Sequence, residues 1–488
     1  MHGIIPTQYG SFHHTITCQD KNLIGVTELY PIQMSQLAAI IGGRIHRGSP
    51  RKAIRAAIQY SSKYIRPGVV FFLNPKKIKN MDAVMRNLRT TRAGCIVVPT
   101  GWEHRIPAQH AVIRVSDPFL AALKLAKWQY AQCHHPIVIG VTGSCGKSTT
   151  KEMVASILMQ KYRTLKSWAN NNVFASIPSH FFRLHPSHQV VVLEMGMANF
   201  GNIRSQCLFS KPSIGVITNV GRAHVGKLGS SVENVARAKQ EMIDGLRPGG
   251  TIVLNEDDPG TRKLSLRRFH GKVVTFGIDR PADVKANNIR FTREGISFQV
   301  NRTSFFIPVL GTHNVYNALA AIAVGRLMKV PTKSIQRGLR SFTPPPMRLQ
   351  PLRGINGYTL INDAYNANPD SMIAGLKVLK KIGAGRTTVA VLGDMSELGK
   401  LTESGHREVG RKVARLHIDY LFTIGPRARS IATAAKEAGM PVSRIRSFST
   451  EVSLVNYLRH HLSPGAVLYF KASRSMKLEQ CIKPLCIR

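Results

Sequence analysis

The sequence predicts an α/β protein of three domains, with a doubly wound parallel sheet at its centre. Three observations carry this. From residue 136 to the end, short β-branched runs alternate with helical stretches, the pattern of strand–helix–strand units. One such run, "VIGVTGSCGKSTTKEM" over 138–153, passes from an apolar strand through a glycine turn into a helix start. A proline-rich break, "FTPPPMRLQP" over 342–351, divides the alternating region in two and suits a hinge or domain boundary.

Taken in order, residues 1–33 read as a loose N-terminal extension, with neither the basic start nor the apolar stretch of a signal peptide. Met34 is a candidate first residue of the compact protein. Residues 34–135 predict a small α/β domain. In it "MSQLAAIIGGRI" gives a helix and turn, and "GVVFFLN", "GCIVVPT" and "HAVIRVS" give strands. "PFLAALKLAKWQYAQ" is an amphipathic helix leading to the linker "CHHP". Over 136–340 the strands are "IVIGVTG", "QVVVLEMG", "SIGVITNVG", "TIVLNEDD" and "KVVTFG". Over 341–488 they are "YTLINDAY", "TTVAVLGDM", "YLFTIG" and "AVLYFKAS".

Composition narrows the function. A chain of 488 residues suits about three domains. No run approaches the ~18 apolar residues of a membrane span. The seven cysteines form no C-x-x-C, as expected of reduced thiols in a cytoplasm. Lys+Arg 68 against Asp+Glu 26 gives a net charge of +42, a field that draws nucleotides, acidic substrates or nucleic acid. No Arg-rich repeat or metal-finger spacing marks a dedicated nucleic-acid module. A monomer acting on small anionic molecules is the expected form.

The stretch at 138–153 carries the clearest chemistry. Gly140, Gly143 and Gly146 let backbone N–H groups close on an anion, and the following helix turns its positive end to the same point. Lys147 supplies a charge for β- and γ-phosphates, and the Ser148 hydroxyl suits Mg²⁺. Five residues, rather than the usual four, separate Gly140 from Gly146-Lys147. Further on, Glu194 ends a predicted strand, His224 follows another, and Lys239 lies in the helical "VENVARAKQEMI". A carboxylate and an imidazole near Ser148 would make a sensible Mg²⁺ environment. Taken singly, each of the three also reads as an ordinary surface acid, loop histidine or solvated lysine.

"GVTGSCGKSTTKEM", "VVVLEMGMANFGNI", "VITNVGRAHVGKLGSSVENVARAKQEMI", "GTHNVYNALAAIAVG", "LINDAYNANPDSM", "AVLGDMSELG" and "YFKASRSMKLE" follow one another in that order. Together they resemble the Mur ligases, ATP-dependent amide ligases of peptidoglycan precursor synthesis. The resemblance runs from about 136 to 488 and is weak over 34–135. It implies a central ATP-binding domain over 136–340 and a C-terminal domain over 341–488 that delivers the amine. It also implies an N-terminal domain that holds a UDP-sugar-like substrate. Gly143, Ser144, Gly146, Lys147, Ser148 and Thr149 would hold the triphosphate. Ser148 and Glu194 would hold one Mg²⁺, and His224 would help hold a second. Lys239 falls where the family has a carbamylated lysine, also a metal ligand. Asn314 and Asn317 match the adenine-contacting pair, and Arg348 and Asp363 the groups that close over the nucleotide. Asn170, Asn172, Asn366 and Asn368 fall in substrate-side motifs. The reaction implied moves the γ-phosphoryl of ATP to a carboxylate, and an amine then displaces phosphate from the acyl phosphate.

"DAYNANPDSM" and "LGDMSELG" most resemble the family members that add D-Ala-D-Ala, which implies D-Ala-D-Ala as the amine; the UDP-MurNAc-peptide acceptor so implied rests mostly on Asn170, Asn172 and the basic N-terminal domain. Departures stand beside the matches: Val173, Ser176, Met347 and Ala472 occupy positions where the family usually has other residues. Two alternatives therefore stay open. One is a paralog joining a different amine and carboxylate. The other is a nucleotide-binding protein with a decayed ligase site and a basic surface for nucleic acid.

Overall fold

The computed structural model describes residues 27–59, 61–292 and 294–487. They fall into two compact units. The first contains the described residues up to His135 together with Ala175–Ser187, and the second contains Pro136–Phe174 and the described residues from His188 onward.

The first unit is built on one sheet of β1 (Thr27–Gln33), β2 (Arg44–Arg47), β3 (Ala53–Gln59), β4 (Val69–Phe72), β5 (Cys95–Pro99) and β6 (Val112–Val115), in the order β1-β3-β4-β5-β6-β2. The inner pairs β3–β4–β5–β6 are parallel, and the edge strands β1 and β2 are antiparallel to their neighbours. β4, "VVFF", is buried throughout, as an inner parallel strand covered on both faces requires. The helix Pro118–Ala131 starts where Asp117 accepts the N–H groups of Phe119 and Leu120, with Pro118 in the first turn.

Two expectations change here. The extension expected over 1–33 does not reach residue 33: Thr27–Gln33 is a strand, with Ile32 opposite Ile54. Leu29 and Ile32 are buried by it. Residues 1–26 of that extension lie outside the described residues. The domain expected over 136–340 is interrupted, because 175–187 packs with the first unit. There Phe182 stacks on Phe72 at 5.8 Å, Phe181 meets Tyr130 edge-on at 5.2 Å, and Gln129 donates to the Leu184 carbonyl at 2.6 Å.

The second unit opens with a parallel sheet of β7 (Ile137–Thr142), β8 (Thr164–Lys166), β9 (Val190–Glu194), β10 (Ile214–Ile217), β11 (Thr251–Asn255), β12 (Lys272–Gly277) and β13 (Val284–Lys285). Their order is β13-β12-β11-β10-β7-β9-β8. The chain runs from β7 to the edge strand β8, returns to β9 beside β7, then crosses to β10 on the other side. Such a reversal opens a crevice at the carboxyl ends of the strands, where ligands of open α/β sheets bind. An antiparallel ladder follows, β14 (Asn287–Phe291), β15 (Ile296–Val300) and β16 (Thr303–Ile307). The last sheet holds β17 (Gln350–Arg353), β18 (Thr359–Asn362), β19 (Thr388–Gly393), β20 (Tyr420–Ile424), β21 (Ile445–Phe448) and β22 (Val467–Lys471), in the order β17-β18-β22-β19-β20-β21. Only β17 is antiparallel to its neighbour in that sheet. Among the described residues no helix is long and apolar enough to cross a membrane.

The helix Thr312–Leu327 is the keel of the central core. Asn317 to Gly325 are buried without a break, because Ala318, Ala320, Ala321 and Ala323 let neighbours approach on every side. Leu319, fully buried in that run, has nowhere to collapse if shortened. Leu319→Ala should therefore cost about 2–5 kcal/mol of stability. Urea unfolding checks this, and a loss below about 1 kcal/mol would contradict the packing described.

Candidate active site

The phosphate loop joins β7 to the helix Lys147–Leu158. Its shape is set from the end of β10. Ser144 N–H donates to the Asn219 carbonyl at 3.0 Å, and Cys145 N–H donates to Asn219 Oδ1 at 2.8 Å. Thr218 Oγ1 donates to the Cys145 carbonyl at 2.5 Å. Gly146 sits at φ 82°, and a Cβ there would lie 2.3 Å from Asn317 Oδ1. Only glycine fits, on both backbone and steric grounds. Asn317 Oδ1 also accepts from Thr150 Oγ1 at 3.1 Å, while its Nδ2 donates to Asn314 Oδ1 at 2.9 Å. Asn314 in turn donates to the Leu310 carbonyl at 2.7 Å. The asparagine pair expected beside a nucleotide base is thus also a brace for the loop.

A cleft of about 410 Å³ opens over this loop. Ser144 to Thr149, His224, Asn314 and Asn317 line it from the central sheet, and Arg348, Asp363, Asn366 and Asn368 from the C-terminal sheet. Glu194, Lys239, Asn170 and Asn172 are not among its lining residues.

Lys147 Nζ donates to the carbonyls of Gly143 (2.7 Å) and Ser144 (3.4 Å). Burial holds its pKa below the usual lysine value, while the charge of Glu194 works the other way. Glu194 ends β9, 3% exposed. Its Oε1 accepts from Asn172 Nδ2 at 2.8 Å, and its Oε2 is buried with no partner. Asn170 is exposed. Lys239 is 1% exposed on the helix Val232–Asp244. Its pKa lies well below the usual value because of burial first and the nearby Lys147 charge second.

From the C-terminal sheet, Arg348 stacks over the Tyr365 ring at 4.2 Å. Asp363 Oδ2 pairs with Lys471 Nζ at 2.6 Å and accepts from Tyr469 OH at 3.0 Å. Its Oδ1 accepts the Leu349 N–H at 3.2 Å, which ties the hinge segment to the sheet. Asn368 caps the helix Pro369–Ile382 by accepting from Ser371 N–H at 2.8 Å. Its side chain also meets Cys145 Sγ in the phosphate loop. Asn366 Oδ1 accepts the Ala367 N–H at 2.9 Å.

Several groups at the site escaped the sequence reading. His313 lines the cleft, and burial pushes its pKa down to about 4. Lys471 and Tyr469 surround Asp363 from 108 and 106 residues away; "YFKAS" was visible as a motif but gave no role to either. Arg222, after β10, forks between Asp370 and Glu408. His224 Nδ1 lies 2.5 Å from Glu397 Oε2, an ion-pair contact not aligned as a hydrogen bond. Lys227 takes the other Glu397 oxygen at 2.6 Å. One nitrogen of the imidazole expected to assist a metal is thus engaged with the C-terminal sheet's loop.

Among the described residues no three His, Cys, Asp or Glu side chains gather into a cation cage. Mg²⁺ does not need one, since it commonly rests on one or two carboxylates, waters and substrate phosphates. A buried carboxylate oxygen without a partner is costly unless a cation or donor meets it. Glu194 Oε2 beside the phosphate loop therefore fits Mg²⁺ arriving with a nucleotide.

The pair with His224 and Lys227 holds the Glu397 carboxyl at about 2, against an ordinary 4.5. A depressed folded-state value gives stability that is complete above about 4.5 and is lost as pH falls toward 2. Glu397→Gln should therefore lose less stability than the parent between pH 5 and 3, read as denaturant midpoints at each pH. Equal losses in the two proteins would show that the pair contributes nothing.

Comparisons with known proteins agree with this architecture. The Mur ligase middle domain matches residues 141–325, and the Mur ligase glutamate ligase domain matches 347–474. The UDP-N-acetylmuramoyl-tripeptide–D-alanyl-D-alanine ligase of Bacillus subtilis is 36% identical over 389 residues, covering 79% of this chain and 84% of its own length. That of Escherichia coli is 28% identical over 461 residues, 93% of this chain and 98% of its own. A crystal structure of MurF from Acinetobacter baumannii superposes with a TM-score of 0.82 at 28% identity, over 94% of this chain and 99% of that one. With both domains matched in order and relatives of nearly full length, the chain belongs to the Mur ligase family.

Proposed function

We propose that the protein is an ATP-dependent, ADP-forming amide ligase. It would join D-alanyl-D-alanine to the free carboxylate of a UDP-N-acetylmuramoyl tripeptide in peptidoglycan precursor synthesis. The observation that carries this is the single cleft lined both by the phosphate loop and by Arg348, Asp363, Asn366 and Asn368. A group placed there meets nucleotide-binding backbone on one side and the C-terminal sheet on the other. The relatives named for this activity support the choice of amine and acceptor.

The residues divide the work by charge. The loop N–H groups and the end of the Lys147–Leu158 helix bind the phosphates. Lys147 is held over the loop carbonyls and needs only to swing from them to meet negative charge as the γ-phosphoryl leaves. Mg²⁺, held by Ser148 and Glu194, would neutralise phosphate charge and polarise the transferred group. Arg348, fixed over Tyr365, and Asp363, fixed by Lys471 and Tyr469, would close over the nucleotide from the C-terminal side. The acyl phosphate so formed must be kept from water until the amine arrives, which the covering of the cleft by the C-terminal residues favours.

Lys239 is proposed to act as a carbamate. Burial first, and the Lys147 charge second, push the Lys239 pKa down, which favours the neutral amine; attack of its lone pair on CO₂ gives a carbamate and releases one proton. The product is an anion where burial and the Lys147 charge disfavour the ammonium, and it would join the metal's ligands. Asn314 and Asn317 are assigned to the base side of the nucleotide. His224, through the ring nitrogen not paired with Glu397, is assigned to a second Mg²⁺. Asn170 and Asn172 are assigned to the acceptor side.

Three tests follow. ADP release should require both UDP-MurNAc-tripeptide and D-Ala-D-Ala; release with another amine and acid pair would make this a paralog with a different product. Lys147→Ala should lose at least a hundredfold in turnover, about 2.7 kcal/mol, and a smaller loss would remove it from the phosphoryl step. Lys239→Ala should be nearly inactive and partly restored by a short carboxylic acid. Full activity without added acid would end the carbamate assignment.

A further inference from the structure

Lys151 lies one turn beyond Lys147 and is 1% exposed. A buried ammonium is costly unless its protons find acceptors. Here Nζ donates to the carbonyls of Ser167 (3.0 Å) and Ala169 (2.8 Å) and pairs with Glu152 Oε1 at 2.7 Å. Three acceptors meet its three protons. Both carbonyls belong to the turn that follows β8, where Ala169 takes a φ of 48°. A non-glycine residue in that region needs support from its surroundings, and the lysine supplies it.

The same turn grips the end of β9 at three points. Ser167 Oγ accepts the Glu194 N–H at 2.9 Å. The Asn172 carbonyl accepts the Gly196 N–H at 2.7 Å. Asn172 Nδ2 donates to Glu194 Oε1 at 2.8 Å. The fit is close enough that a Cβ on residue 196 would lie 2.4 Å from Asn172 Oδ1. What the grip leaves over is Glu194 Oε2, buried and unpartnered.

On the nucleotide-ligase reading above, we infer that Lys151 is a positioning residue for the metal-binding carboxylate. It fixes the 167–172 turn, and through Asn172 it holds Glu194 with Oε2 free for the cation. Lys151 Nζ is taken up by Ser167, Ala169 and Glu152, so it acts through the turn rather than by direct contact with a ligand. Its effect belongs to the partners of a ligating group, whose loss typically weakens metal binding 10- to 100-fold.

The test is Mn²⁺ binding followed by electron paramagnetic resonance in the presence of AMP-PNP. Metal-free AMP-PNP affinity and thermal midpoint are measured beside it. Lys151→Met and Asn172→Ala should each weaken Mn²⁺ about tenfold or more, with metal-free nucleotide affinity within about twofold of wild type. The double variant should bind Mn²⁺ no more weakly than the weaker single one, since the lysine acts through the asparagine. Unchanged Mn²⁺ binding in either variant, or losses that multiply in the double one, overturns the inference. Should Lys151→Met fail to fold, Lys151→Gln, which keeps two N–H donors, replaces it. Weaker Mn²⁺ with unchanged metal-free nucleotide then upholds the inference, and an equal fall in both overturns it as a purely structural effect. Absence of Mn²⁺-dependent nucleotide binding in the wild type is a separate outcome, and it removes the ligase reading together with the inference built on it.

Discussion

The contact between Gly146 and Asn317 is the constraint on which the site depends. An asparagine side chain occupies the space that a Cβ would need, and so the turn of the phosphate loop closes against the helix Thr312–Leu327. From Asn317 to Gly325 that helix is buried without a break, so its position is set by the packing of the whole central core. A loop fixed to such an element cannot drift, and its N–H groups stay aimed at one point. Preorganisation of this kind lets dipoles act on a transferring phosphoryl without the cost of reordering at the moment of reaction. The bonds from Thr218 and Asn219 repeat the constraint from β10, so both strands flanking the crevice contribute to one geometry.

The charges around the crevice are handled in opposite ways. Asp363 has its partners built in, Lys471 and Tyr469, and Glu397 has His224 and Lys227. Glu194 Oε2 and Lys239 have no such pairing among the described contacts. The built-in pairs tie the C-terminal sheet and the loop after β10 in place.

Much of this was legible in the sequence, for a physical reason. Parallel strands covered on both faces read as unbroken apolar runs, so β4, β7, β9, β10 and β19 stand out. The antiparallel strands β15 and β16 bury alternate residues and contain Gln299 and Ser304, which dilutes the signal. The phosphate loop was fully readable because its chemistry is local. The Glu397 partner of His224 and the Lys471 and Tyr469 partners of Asp363 are joined only by folding, and no local pattern announces them. Asn172 illustrates the limit from the other side. Its motif pointed to substrate, and the structure adds a bond to Glu194 that spacing alone does not suggest.

Residues 175–187 have a further consequence. The first unit draws Phe181, Phe182 and Leu184 from a stretch that comes after β7, the phosphate loop and β8. During synthesis, residues 34–135 emerge from the ribosome well before the segment that completes their core. Until residue 187 is free, the face of Phe72 and Tyr130 has no cover. The order of emergence therefore couples the two units: the N-terminal one cannot finish folding first, although its strands are the first to be made. An incomplete chain ending between 136 and 174 would expose apolar surface, a feature that chaperones and proteases recognise.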